Sequence, residues 1–131
     1  MKVPPPVAEL LGIDRVSFGD GECTMKLEAG EQHANPMGTI HGGILCDLAD
    51  AAMGMAFFTT CVDGESFTTL ELKINFVRPF WTGTLVANGW VVSRGRTVGL
   101  TECDVLDEDG RLIAKATSTV MALRGEAAQG R

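Results

Sequence analysis

"NPMGTIHGGILCDLADAAMGMAFF", residues 35–58, joins a turn-forming loop to a stretch too apolar for a surface helix. From Ile44 to about Phe58, the residues Ile44, Leu48, Ala52 and Met55 fall along one helical stripe. Leu45, Ala49 and Ala56 fall on the adjacent face, so the helix is apolar on most sides and is expected to be enclosed by the rest of the domain. It nevertheless carries Asp47 and Asp50. A carboxylate inside a protein has to be paired, neutralised or used.

The segments around the helix read as strands. Upstream, Cys23, Met25 and Leu27 alternate with Glu22, Thr24, Lys26 and Glu28, which is a half-buried strand after a "GDG" turn. Residues 4–12 open on prolines and close at Gly12, as a short helix does. Downstream, Leu70, Leu72, Ile74 and Phe76 alternate with Glu71, Lys73 and Asn75 over residues 69–77. "PFWTG" then turns the chain into a strand over 84–93, "RGR" makes a hairpin to a strand over 97–106, and "DEDG" turns to a last strand over 112–121. On that last strand Leu112, Ala114, Ala116, Ser118 and Val120 form the inner face. They are mostly small, as a closely approaching helix requires. One helix and segregated antiparallel strands make an α+β domain. A sheet this long must curl around the helix and leaves edges that invite a second copy of the chain.

The totals fit a single domain over residues 1–131, with an N-terminal extension at 1–14 and a tail expected to fray from residue 122. A net charge of −6 opposes binding to phosphate backbones and excludes a nucleic-acid partner. Cys23, Cys46, Cys61 and Cys103 show no CxxC spacing and read as reduced thiols. "MKVPPPVAELLG" breaks on prolines before any long apolar run, so no signal peptide is expected. The apolar run from Ile44 to Cys61 nears membrane-spanning length, but its two aspartates and glycine-rich start speak against insertion. The protein is expected to be soluble and cytoplasmic, with no membrane partner.

Several kinds of chemistry drop out. There is no GxSxG elbow, and the four serines lie in or beside strand-like segments without a nearby histidine. His33 and His41 are the only histidines, so no metal site is expected. "GTIHGG" lacks the spacing of nucleotide-binding loops.

What remains is local to the opening stretch. Gly42 and Gly43 stand where the first helical N–H groups have no intrahelical partner and the helix dipole favours negative charge. They either form an oxyanion hole or simply allow a tight turn into a crowded helix. Asp47 lies close enough to the helix start to serve as a favourable end charge. Asp50, flanked by Leu48, Ala49, Ala51 and Ala52, lies beyond that effect. It is either satisfied by local donors, such as the Thr68 or Thr69 hydroxyls, or acts as a general base or nucleophile. His41 and Asn35 can support a site or shape the loop, and Cys46 is a possible nucleophile or inert packing.

The segment "NPMGTIHGGILCDLADAA" resembles the active-site segment of hotdog-fold acyl-CoA thioesterases, N-x-x-G-x-x-H-G-G followed by a helix with L-A-D or L-A-E. It is most similar to the phenylacetate-pathway group. The likeness runs from about Glu22 to Met121 and includes "TLELKINFVRP" and "SRGRTVGLTECDVLDEDGRLIAKATST". The resemblance implies a hotdog fold, a curled sheet around one long helix. It also implies dimers or dimer-of-dimers tetramers with active sites between subunits. Asp50 then matches the catalytic carboxylate, and Gly42 the N–H donor to the thioester carbonyl. His41 and Asn35 match supporting loop residues, and Thr69 a position that holds the attacking water. For the coenzyme A phosphates the resemblance makes Arg94 and Arg96 the first candidates, with Arg78 and Arg124 behind them. The implied activity is hydrolysis of an acyl- or aryl-CoA to free acid and coenzyme A. No cofactor is implied, since coenzyme A belongs to the substrate. A non-hydrolytic acyl-CoA binding protein is the competing reading, and a dehydratase of the same fold a more distant one.

Overall fold

The structure, a computed structural model, describes residues 3–131; Met1 and Lys2 of the N-terminal extension lie outside it. The elements are α1 (Pro6–Leu11), β1 (Ile13–Gly19), β2 (Glu22–Ala29), α2 (Gly42–Phe58), β3 (Ser66–Phe76), β4 (Gly83–Arg94), β5 (Val98–Leu106) and β6 (Leu112–Leu123). Short 3₁₀ turns occupy Glu31–His33 and Gly125–Ala128. The strands form one antiparallel sheet in the order β1-β2-β4-β5-β6-β3. It curls around α2 in the hotdog arrangement.

The apolar faces of the strands meet the helix in one core. Leu27, Leu85, Val105 and Ile113 from the sheet close on Leu48 and Met53 of α2, all almost fully buried. Sheet meets helix backbone at Gly89 of β4. A methyl group there would stand 2.7 Å from the Ala52 carbonyl carbon and oxygen. Glycine at this position lets helix backbone lie directly on sheet backbone. On β6, Ala114, Ala116, Ser118 and Val120 face inward as expected, while Leu112 is only half-buried.

Three features differ from the sequence reading. Strand β1 was not expected, because a bulge between Arg15 and Ser17 breaks its alternation and only Ile13 is buried. Strand β6 runs on to Leu123, and Ala122 and Leu123 are buried rather than frayed. In β3, which begins three residues before Thr69, a second bulge falls between Thr69 and Glu71. It expels Leu70 to the surface, so Leu70 does not share a face with Leu72. Thr69 takes the inward place instead, paired with Val120, while Leu72 pairs with Ser118. Re-aiming one side chain in this way is what a bulge does.

Candidate functional site

The loop before α2 is held by its own polar residues. Asn35 Oδ1 accepts from the Met37 and Thr39 N–H groups at 2.9 and 3.2 Å, and its amide nitrogen donates to Thr39 Oγ1 at 2.6 Å. A bridge between Ala34 and Ile40 closes the loop, and the Ile40 N–H reaches the Phe80 carbonyl at 2.7 Å. Asn35 therefore shapes the turn and keeps one amide N–H for a ligand.

His41 is the N-cap of α2. Its Nδ1 accepts the Gly43 N–H at 2.9 Å, and its carbonyl accepts the Ile44 N–H. Gly42 is different, since its N–H has no hydrogen-bond partner among the described residues. One backbone donor is thus left open at the positive end of a 17-residue helix. Gly42 lines a cavity of about 330 Å³ with Asn35, Thr39, Phe76, Arg78 and Phe80. The Phe76 ring lies over Gly42, where a methyl group would come within 2.8 Å of Cζ.

Asp50 faces a second, shallower pocket of about 250 Å³, shared with Cys46, Asp47, Thr69 and Glu71. The Thr69 hydroxyl, delivered by the β3 bulge, donates to Asp50 Oδ1 at 2.9 Å. Asp47 is on the solvent side. Partial burial, with the Asp50 charge adding to it, holds its carboxyl above the usual range. Asp47 is therefore not the comfortable end charge that its place near the helix start implied. Burial and then the two aspartates also push the Cys46 thiol up, which leaves it a poor nucleophile.

One chain does not bring all these residues together. Asn35 and Gly42 share one pocket and Asp50 and Thr69 the other, eight residues or roughly 12 Å further along the helix axis.

The arginines fall differently from the sequence expectation. Arg94 Nε donates to Thr60 Oγ1 at 2.9 Å, its Nη1 to two carbonyls, and its Nη2 to Glu65 at 3.3 Å. Its guanidinium also lies 4.6 Å from the Phe57 ring centre. Arg124 meets the other Glu65 oxygen at 2.6 Å. The Val62 N–H and then these two cations hold the Glu65 carboxyl below its usual range. Arg94 and Arg124 thus knit the end of α2 to the sheet. Arg96 is exposed with no side-chain partner among the described residues, and the same holds for Arg78 at the rim of the Gly42 cavity. Arg78 stands directly after β3, two residues past Phe76, which places it at that rim.

Comparison with known proteins agrees with this geometry. The thioesterase superfamily model matches residues 37–114, and the chain belongs to that superfamily. It is a thioester hydrolase by that membership and its relatives. Human acyl-coenzyme A thioesterase 13 is 32% identical over 82% of this chain and 77% of its own. A conserved Pseudomonas aeruginosa protein of known structure is 34% identical with a TM-score of 0.87, covering 91% of this chain and 94% of that one. The Escherichia coli PaaI protein from the phenylacetic acid degradation operon is 26% identical with a TM-score of 0.86, covering 93% and 87%. Among the described residues no helix is long and apolar enough to cross a membrane.

Proposed function

We propose that the protein hydrolyses a coenzyme A thioester at a site completed between two copies of the chain. The observation that carries this reading is the open Gly42 N–H at the start of α2, with Asp50 two turns further on beside its own pocket. A two-fold partner that lays its helix antiparallel to the first supplies each Asp50 with the other copy's Gly42. The edge available for such pairing is β3, whose outer side is unpaired and which exposes Leu70, Phe76 and the adjoining Val77.

In this reading Gly42 donates to the thioester oxygen as negative charge develops there. Asp50 either takes a proton from the attacking water or attacks the carbonyl carbon itself; in both cases the C–S bond breaks and the thiolate leaves, and in the second case water then hydrolyses the Asp50 anhydride to release the acid. A thiol has a pKa of roughly 8 to 9, so no strong acid is needed for its departure, and no metal or cofactor is called for. Thr69 holds the Asp50 carboxylate, His41 and Asn35 hold the donor loop, and Arg78 meets the coenzyme A phosphates, with Arg96 second. Arg94 is reassigned to the fold, because its donors are already engaged. We assign the enzyme to the cytoplasm as a dimer or a tetramer of two dimers.

Asp50→Asn tests the proposal. Turnover of acyl-CoA should fall about 10²- to 10⁴-fold with little change in substrate binding. Near-normal turnover would sink it. Unchanged binding with no turnover in the native protein would establish a binding module instead. A panel of short, long and aromatic acyl-CoAs identifies the acyl group.

A further inference from the structure

His33, four residues beyond Ala29 and buried to 3% exposure, uses every hydrogen-bonding group it has. Its Nδ1 accepts the Gly30 N–H at 3.0 Å, which places the ring proton on Nε2, and Nε2 donates to the Leu11 carbonyl at 2.7 Å. That carbonyl is one of the orphan acceptors at the end of α1. The backbone of His33 adds two more bonds. Its N–H reaches the Gly30 carbonyl at 2.9 Å, and its own carbonyl accepts the His41 N–H at 2.8 Å. One residue therefore ties the end of α1 and the end of β2, through its ring, to the residue that caps α2, through its carbonyl.

The geometry points to His33 as a positioning residue that fixes where the Gly42 N–H is presented. The His33 carbonyl holds His41, the residue immediately before Gly42, and the ring prevents that carbonyl from drifting. The loop between the two, residues 34–40, is anchored mainly to itself and at one point to Phe80. Without the ring, the cap of α2 keeps its local turns and the backbone bond to the Gly30 carbonyl, but it loses the ties to the Leu11 carbonyl and the Gly30 N–H. A donor displaced by a fraction of an ångström still admits substrate, but it no longer meets the oxygen as charge develops. The cost should therefore fall on kcat rather than KM. This inference rests on the assignment of Gly42 as oxyanion donor.

The test is kinetic. His33→Phe keeps the ring volume and removes both side-chain bonds, and kcat should fall roughly 10- to 100-fold with KM changed less than about threefold. His33→Gln, which can still reach the Leu11 carbonyl, should recover part of the loss. Faster amide hydrogen exchange at His41 should accompany the loss of kcat. Thr101→Val supplies a destabilised control, since it strips the buried Ser118 hydroxyl of its 2.6 Å partner at residues that line neither pocket, and its kcat should hold. A His33→Phe protein that keeps kcat within about twofold overturns the role, as does an equal kcat loss in Thr101→Val. Should His33→Phe fail to fold, His33→Asn is too short to reach Leu11 and is read by the same criterion. Asp50→Asn is run alongside. If it stays active, the reading of the site fails. If it is inactive while His33→Phe keeps its kcat, only the positioning role falls.

Discussion

Gly42→Ala separates a glycine kept for catalysis from one kept for packing. The added methyl group would lie 2.8 Å from Phe76 Cζ and 3.2 and 3.3 Å from its neighbours. To reach an ordinary contact of 3.4 Å the ring tip has to retreat about 0.6 Å. That retreat is easy, because Phe76 is 55% exposed and the atoms in the way are the far end of a side chain. Alanine also lowers the entropy of the unfolded chain, which offsets the displacement by about 0.4–1 kcal/mol. The net stability change should stay within about 1 kcal/mol, a shift in Tm of no more than roughly 4 °C. Activity should behave otherwise, since the methyl group and the displaced ring crowd the approach to the Gly42 N–H. Losing one oxyanion donor costs about 10² to 10³ in kcat, or roughly 2.7–4 kcal/mol. Thiol release from acyl-CoA, followed with a chromogenic disulfide, measures the first quantity and thermal denaturation the second. A variant with kcat within about threefold of the parent would refute the donor role. A Tm loss well beyond the stated range would show that Phe76 cannot move and that the glycine serves packing.

Gly89→Ala should do the reverse, because its obstacle is the backbone of Ala52 and Met53 at 2.7–2.9 Å. Overpacking of about 1–3 kcal/mol should lower Tm by roughly 4–11 °C for a chain of this length. Asp47→Asn should raise Tm at pH 7. The folded carboxyl is held above its ordinary pKa, so the aspartate favours folding only when protonated and opposes it as pH rises through that range. The difference between parent and variant should shrink as pH falls below about 4, and a gap that widens there would contradict the sign. Arg78→Ala should raise KM for coenzyme A esters roughly tenfold but leave short thioesters without the nucleotide unaffected. Arg94→Ala should instead lower Tm and spare KM, and the opposite pattern would restore Arg94 as the phosphate ligand.

The helix and the period of β3, β4, β5 and β6 were legible because each buries one face against α2, and burial imprints a period on the residues. Strand β1 left no such imprint, since it lies at an edge with only Ile13 inside and a bulge in its middle. The bulge at Leu70 was equally invisible. An unbroken run of alternating residues gives no sign that the pairing slips by one, although that slip is what aims Thr69 at Asp50. The network around Arg94 was hidden for another reason: its partners Thr60 and Glu65 lie about 30 residues earlier in the chain. A single arginine in a hairpin looks the same whether it faces solvent or closes a network. The placement of Asp50, Gly42 and His41 was legible in local spacing, because all three lie on one helix or at its cap. The contacts of His33 were not legible either, because they depend on Leu11, Gly30 and His41 meeting at one point.

The place of β3 in the sheet has a consequence for how the chain acquires its structure during synthesis. Among the described residues its only partner is β6, and the pairing runs from Ser66 against Leu123 to Phe76 against Ala114. Strand β2 likewise waits for β4, with α2 and β3 emerging between them. A nascent chain that has reached residue 111 therefore carries an 11-residue strand, apolar at alternate positions, with both sides open. Pairing across such long loops is slow, and exposed strands of this kind invite the wrong neighbour. Once β6 arrives, one side of β3 closes and the other stays open. The surface proposed for assembly is thus the last part of the sheet to form, and the one most exposed to error while the ribosome is still at work.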